Sequence, residues 1–175
     1  RQVRTADFVA VQRGINDAGL RWGSVFGDFL RFSDAVHDQG RSVLFQVDPM
    51  DDSGKLVTGP NEREYDLAGW LLISNGRDGY FGYLSSTPDD WWRGYQLDLG
   101  AALGARYTWN GQVLRRDFRC GMVLVNPPGA PDQVVALPGT YTTMDGRSVT
   151  TVELTATSPA AILLKSCATL GSTVR

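Results

Sequence analysis

The sequence predicts an α/β half followed by an all-β half, and three observations carry this. Short apolar runs rich in β-branched residues, Phe8-Val-Ala-Val11 and Ser42-Val-Leu-Phe-Gln-Val47, alternate with helical periods in the first half. Beyond about residue 95, short strand-like runs recur with turn signals between them and no helical period. Between the halves, Thr87-Pro-Asp-Asp90 opens into Trp91-Trp92-Arg93-Gly94-Tyr95 and the pattern changes. The boundary is placed there, giving units at 1–88 and 89–175.

The first run, residues 8–11, is too short for a helix core and reads as a strand. It ends in Gln12, Arg13, Asn16 and Asp17, set around Gly14 and Gly19. Val25, Phe26, Phe29, Leu30, Phe32 and Val36 follow at spacings of three and four, which predicts a helix over 24–39. Ser24 is the expected N-cap and Gly40 the expected C′ glycine. A second strand over 42–47 ends in Asp48-Pro49-Met-Asp51-Asp52. Two buried strands joined by a helix imply a βαβ unit with a parallel sheet. In such sheets ligands gather at the carboxyl ends of the strands. After a polar turn, Asn61 and Glu64 read as a capping box that opens a second helix to Ile73, apolar on nearly all sides. Residues 80–84 form a third strand candidate. Residues 8–11 look apolar on both faces and are expected to need cover on both.

In the second half the clearest signal is Tyr107-Thr-Trp109, Asn110-Gly111, Gln112-Val-Leu114, where Asn-Gly suits a type I′ hairpin turn. Further strands are expected at 117–119, 121–125, 133–137, 140–143, 148–154 and 161–165, with Asp145-Gly146 as a second turn. This spacing predicts an antiparallel sandwich or sheet.

Length and composition bound the function classes. The chain has 175 residues, 42% apolar and 21% charged, which fits an ordinary globular protein with one good core or two small ones. A net charge of -2 argues against a nucleic-acid surface. No apolar run approaches the roughly 20 residues that span a bilayer, and Arg1-Gln2-Val3-Arg4 opens no signal peptide. Neither a membrane, a metal nor a cofactor is therefore expected. Cys120 and Cys167 read equally as one disulfide or two buried thiols. His37, the single histidine, lies near a helix end, where interaction with the helix C-terminus is preferred over catalysis. Gly-x-Ser-x-Gly, P-loop and Gly-x-Gly-x-x-Gly patterns are absent, so acyl transfer and nucleotide chemistry have no support.

Several stretches resemble one family. They include Arg13-Gly-Ile-Asn-Asp-Ala-Gly19, Val36-His37 followed by Gly40, and Leu71-Leu-Ile-Ser-Asn-Gly-Arg-Asp78. The junction adds Trp91-Trp92-Arg-Gly-Tyr95, Asp98-Leu-Gly100, Tyr107-Thr-Trp109 and the run from Arg115 to Asn126. Together these resemble bacterial glycosyl hydrolase-like proteins in which a (β/α)₈ barrel is followed by a C-terminal β-sandwich. Residues 121–126 and 161–164 match the sandwich strands of that type. The resemblance implies partial TIM-barrel-like βα units, here an incomplete barrel, with an antiparallel β-sandwich. It also implies a carbohydrate-active protein whose complete form hydrolyses glycosidic bonds. A complete barrel needs about 200–250 residues. Three strands and two helices therefore close as a small α/β domain, or pair with an upstream barrel segment or a second protein chain. Glycosidases place two carboxyl groups roughly 5–10 Å apart, and in the barrel type these lie on middle strands, which would precede Arg1.

The candidate site residues carry two readings each. Gln12, Arg13, Asn16 and Asp17 suit recognition of sugar hydroxyls by guanidinium and amide groups, and equally suit turn chemistry. Asp48 follows its strand directly and is the weak catalytic candidate, whereas Asp51 and Asp52 read as solvated loop residues. Trp91, Trp92 and Tyr95 could stack on a sugar, though wedging the two halves together is preferred. Two functions from different classes follow: a glycoside hydrolase-like portion, and a non-catalytic carbohydrate-binding or structural module. An enzyme completed by a partner chain is the third.

Overall fold

The structure, a computed structural model, describes residues 6–21, 23–47, 60–82 and 92–167. It is mixed α/β, with a three-stranded parallel sheet and a six-stranded antiparallel sheet. No barrel closes among the described residues.

The parallel sheet has the order β1-β2-β3, from β1 (Phe8–Gln12), β2 (Ser42–Val47) and β3 (Gly79–Gly82). The chain leaves β1 through a one-turn helix α1 (Gly14–Asn16), a π-helical turn (Asp17–Arg21) and a 3-10 turn (Gly23–Val25) into α2 (Phe26–His37). α3 (Pro60–Ile73) then joins β2 to β3. On β2 the side chains of Val43, Phe45 and Val47 are buried, and Val9 and Val11 of β1 pack against the same core. The opposite face stays open: Phe8 is 54% exposed, and Ala10 and Gln12 are exposed beside it. Among the described residues no element covers that face of β1, which is an edge strand of the sheet with a helix layer on one side.

The helix ends differ from expectation in instructive ways. The N-cap of α2 is Val25, without a side-chain cap, because Ser24 is taken into the preceding 3-10 turn. Val25 and Phe32 remain exposed, so the apolar stripe of α2 is narrower than its sequence spacing implies. Gly40 does adopt the left-handed conformation, φ 69°, and its N–H bonds the His37 carbonyl at 2.8 Å. Proline at the first position of α3 costs nothing there, since that N–H has no intrahelical acceptor. No capping box forms: the Glu64 carboxylate is spent on Ile162 of a distant strand.

The antiparallel sheet runs β4-β5-β6-β9-β7-β8. Its strands are β4 (Tyr107–Trp109), β5 (Val113–Phe118), β6 (Gly121–Val125), β7 (Gln133–Thr142), β8 (Ser148–Leu154) and β9 (Ala160–Leu164). The hairpin at Asn110-Gly111 is present, with φ 48° and 84°. Trp109 pairs with Val113, so residues 110–112 make a three-residue loop rather than the two-residue turn expected. The two strands expected at 133–137 and 140–143 are one strand, β7, whose register shifts between Ala136 and Tyr141. Pro138 lies in that irregularity, where a missing N–H is tolerated.

β6 and β9 are buried on both faces, which explains their unbroken apolar sequences. Val123, Val125 and Ile162 join α3 and the parallel sheet in one core. Met122, Leu124, Ala161 and Leu163 join Val135, Tyr141 and Leu154 of the β7–β8 hairpin in another. α3 thus lies between two sheets, which accounts for its nearly all-round burial. Arg116 fixes the join by donating to the carbonyls of Leu71 and Ser74, both at 2.7 Å. Cys120 and Cys167 are bonded, tying the β5–β6 turn to the chain beyond β9.

Candidate functional site

The carboxyl end of β1 was expected to carry the site, and the structure divides those residues. Arg13 takes a left-handed backbone, φ 57°, and its N–H extends the sheet to the Gln46 carbonyl at 2.7 Å. Its guanidinium meets Asp17 at 3.0 Å, both half-buried. Asn16 turns inward: its amide donates to Asp66 at 2.9 Å, and both residues are buried. That contact holds the loop onto α3 and leaves Asn16 no surface for a ligand. Gln12 lies on the open face of the sheet. Asp48 and Trp91, together with Asp51 and Asp52, lie outside the described residues.

Asp66 organises the interior at this end. Burial, and second the negative charge of Asp66, push the Tyr65 and Tyr80 hydroxyls far above the ordinary phenol range. Neither phenol can serve as a base near neutrality. His37 lies at the opposite end of the sheet, closing α2, and its ring meets the buried Asp78 carboxylate at 2.9 Å. Asp78 also accepts the Val43 N–H at 2.6 Å, so this pair holds the entry of β2.

A different place gathers chemistry. A groove of about 690 Å³ opens between β8 and β9, with the first turns of α3 and the 92–96 turn on its rim. Its origin is a gap in the sheet. The bonds from Asn126 N to Pro159 O and from Lys165 N to Cys120 O fix which β9 groups face β6. Ile162 therefore directs its N–H to the other edge. There β7 pairs with β9 only through Thr142 and Leu164. Glu64 fills the vacancy, its Oε1 accepting the Ile162 N–H at 2.7 Å. Burial raises the Glu64 pKa first, and the Asp145 charge adds to it; the Ile162 bond and Arg147 act against them.

Trp92 supplies the aromatic wall. It is half-buried, its ring lies over Gly94, where a Cβ would come within 2.1 Å of it, and it meets the Tyr95 ring edge-on at 5.7 Å. Arg93 donates to the Met144 carbonyl at 3.0 Å, tying this turn to the β7–β8 tip. At that tip Arg147 meets Asp145 at 2.6 Å. The Thr143 hydroxyl, first, and Arg147 hold the Asp145 carboxyl below the usual range. The groove can thus offer a flat apolar face, hydrogen-bond donors and acceptors, and one carboxyl whose pKa burial raises.

Of the candidate site residues named from the sequence, Trp92 lies in this groove. Glu64 was legible in principle: a carboxylate on the stripe shared with Leu67, Ala68 and Leu71 occupies a position that otherwise points into the core. Arg93 and Asp145 carried no such signal. Among the described residues, no three His, Cys, Asp or Glu side chains are grouped to hold a metal. No helix among them is long and apolar enough to cross a membrane. Comparison with protein-family models, curated proteins and solved structures gives no match to this chain.

Proposed function

We propose that this chain is a carbohydrate-active, glycoside hydrolase-like portion that holds a glycan in the groove between β8 and β9, hydrolysis belonging to the complete protein. The observation that carries it is the placement of Trp92 beside Glu64, Arg93 and Asp145 along one groove of about 690 Å³. That volume suits a small-molecule site. In this reading the Trp92 ring stacks on the apolar face of a pyranose, and the polar rim takes its hydroxyls. A second reading, a non-catalytic carbohydrate-binding module, draws on the bond from Ile162 to Glu64, which commits the buried carboxylate to the sheet edge. Calorimetric titration with cellohexaose, xylohexaose, maltohexaose and chitohexaose tests both. Binding that is weakened in Trp92→Ala and in the exposed-site variant Arg93→Ala is expected. No binding to any hexaose ends the proposal, and binding without cleavage favours the module.

The finer fold belongs to the same proposal. We read β1–β3 with α2 and α3 as barrel-like βα units, and the antiparallel part as a sandwich, because the β7–β8 hairpin packs over β6 and β9. Parallel sheets are ordinarily covered on both faces, and the open face of Phe8, Ala10 and Gln12 invites cover. The partner in this reading is further protein, from an upstream segment or a second chain. A stable monomer in light scattering, with Phe8 and Val11 amides protected from exchange, would sink it.

A further inference from the structure

A second surface lies on the outer strands of the antiparallel sheet. Tyr107 pairs with Arg115 and Trp109 with Val113, so alternate residues Tyr107, Trp109, Val113, Arg115 and Asp117 share one face. Val113 is fully buried in the core beneath the β7–β8 hairpin, and Trp109 packs against that core. The face then emerges from under the hairpin, where Tyr107 is 42% exposed.

Here the side chains lock one another. The Arg115 guanidinium lies 4.4 Å from the Trp109 ring centroid and 5.8 Å from that of Tyr107. Its Nε and Nη2 both donate to Asp117 Oδ1, at 3.0 and 2.7 Å. The Tyr107 hydroxyl donates to Asp117 Oδ2 at 2.8 Å. A phenol ring held at its tip, beside a paired guanidinium and carboxylate, loses little freedom on binding a ligand.

We infer that Tyr107, with the Arg115–Asp117 pair, forms a glycan-binding platform separate from the groove. The charge balance selects the ligand. Asp117 already neutralises Arg115, so a phosphate or carboxylate would have to displace it. An uncharged ring with apolar C–H faces and hydroxyl edges needs no such exchange: its face lies on Tyr107, and its hydroxyls reach Asp117 oxygens and guanidinium N–H groups. This inference rests on the carbohydrate reading above but uses different residues.

The test is amide and side-chain NMR of the full chain titrated with cellohexaose, xylohexaose, maltohexaose and chitohexaose. The expected result is that at least one hexaose shifts Tyr107, Thr108 and the Arg115 Nε–H. Its affinity for that site falls about tenfold in Tyr107→Ala and less than threefold in Tyr107→Phe, which keeps the ring. Thermal melts of both variants separate lost binding from a loosened β4. Shifts confined to Trp92 and Ile162 overturn this inference and leave the groove standing. Shifts confined to Tyr107 and Arg115 support it and remove the groove reading. No shift with any hexaose overturns both, and equal binding by folded Tyr107→Ala overturns the platform alone.

Discussion

Reducing the disulfide should have a large and calculable effect. Cys120 lies at the β5–β6 turn and Cys167 follows β9, 47 residues on. The bond closes a loop that contains β6, β7, β8 and β9. For a loop of that length, restriction of the unfolded chain contributes roughly 4 kcal/mol at 25 °C. For a domain of this size that corresponds to a fall in Tm of about 8–16 °C. The native geometry adds to the loss, because Cys120 is buried and its sulfur packs against Gly100. The assay is differential scanning calorimetry of the oxidised chain, the chain with reductant, and Cys120→Ala/Cys167→Ala. Reductant should leave the double variant unmoved. A change of less than 2 °C on reduction of the wild-type chain would refute the reasoning, by showing that the 120–167 loop is held equally well without the bond.

Other perturbations report on the interior. A Cβ on Gly19 would lie 1.7 Å from the Tyr65 hydroxyl. Gly19→Ala should cost about 1–3 kcal/mol in denaturant unfolding, partly recovered in Gly19→Ala/Tyr65→Phe. Tyr65→Phe alone should cost nothing, since that buried hydroxyl has no hydrogen-bond partner among the described residues. Asn16→Ala removes a donor from the fully buried Asp66 and should cost about 1–3 kcal/mol by the same measurement. The raised pKa of Glu64 means the folded state holds that proton more tightly than the unfolded one. Stability from Glu64 is then fully present below the ordinary value of 4.5 and declines as pH rises toward the raised value. Subtracting the Glu64→Gln melting profile from wild type should show that decline, and a flat difference would contradict it.

What could be read from the sequence was local. The spacing of Phe26, Phe29, Leu30 and Val36 places α2, and Asn110-Gly111 places the β4–β5 hairpin, because each depends on residues a few positions apart. Gly40 is legible for the same reason: a left-handed residue is needed where α2 ends. The site was decided by partners far along the chain. Asn16 looks like a loop residue free to bind until Asp66, 50 residues on, draws it inward. Glu64 looks like half of a capping box until Ile162, 98 residues on, takes its carboxylate. Val123 and Met122 read as one apolar run, although they face different cores. No local pattern distinguishes these outcomes, since each depends on how the two sheets meet across α3.

The groove is the centre of the account, and its occupancy can be measured directly. A nitroxide-labelled hexaose, chosen as the one that binds the chain, would broaden nearby proton signals. Trp92 lines the groove, and the Ile162 amide donates to the Glu64 carboxylate that also lines it. The account predicts that both broaden strongly at low ligand concentration, and that unlabelled hexaose restores them. Broadening that spares Ile162 and Trp92 while the hexaose is bound would contradict the account.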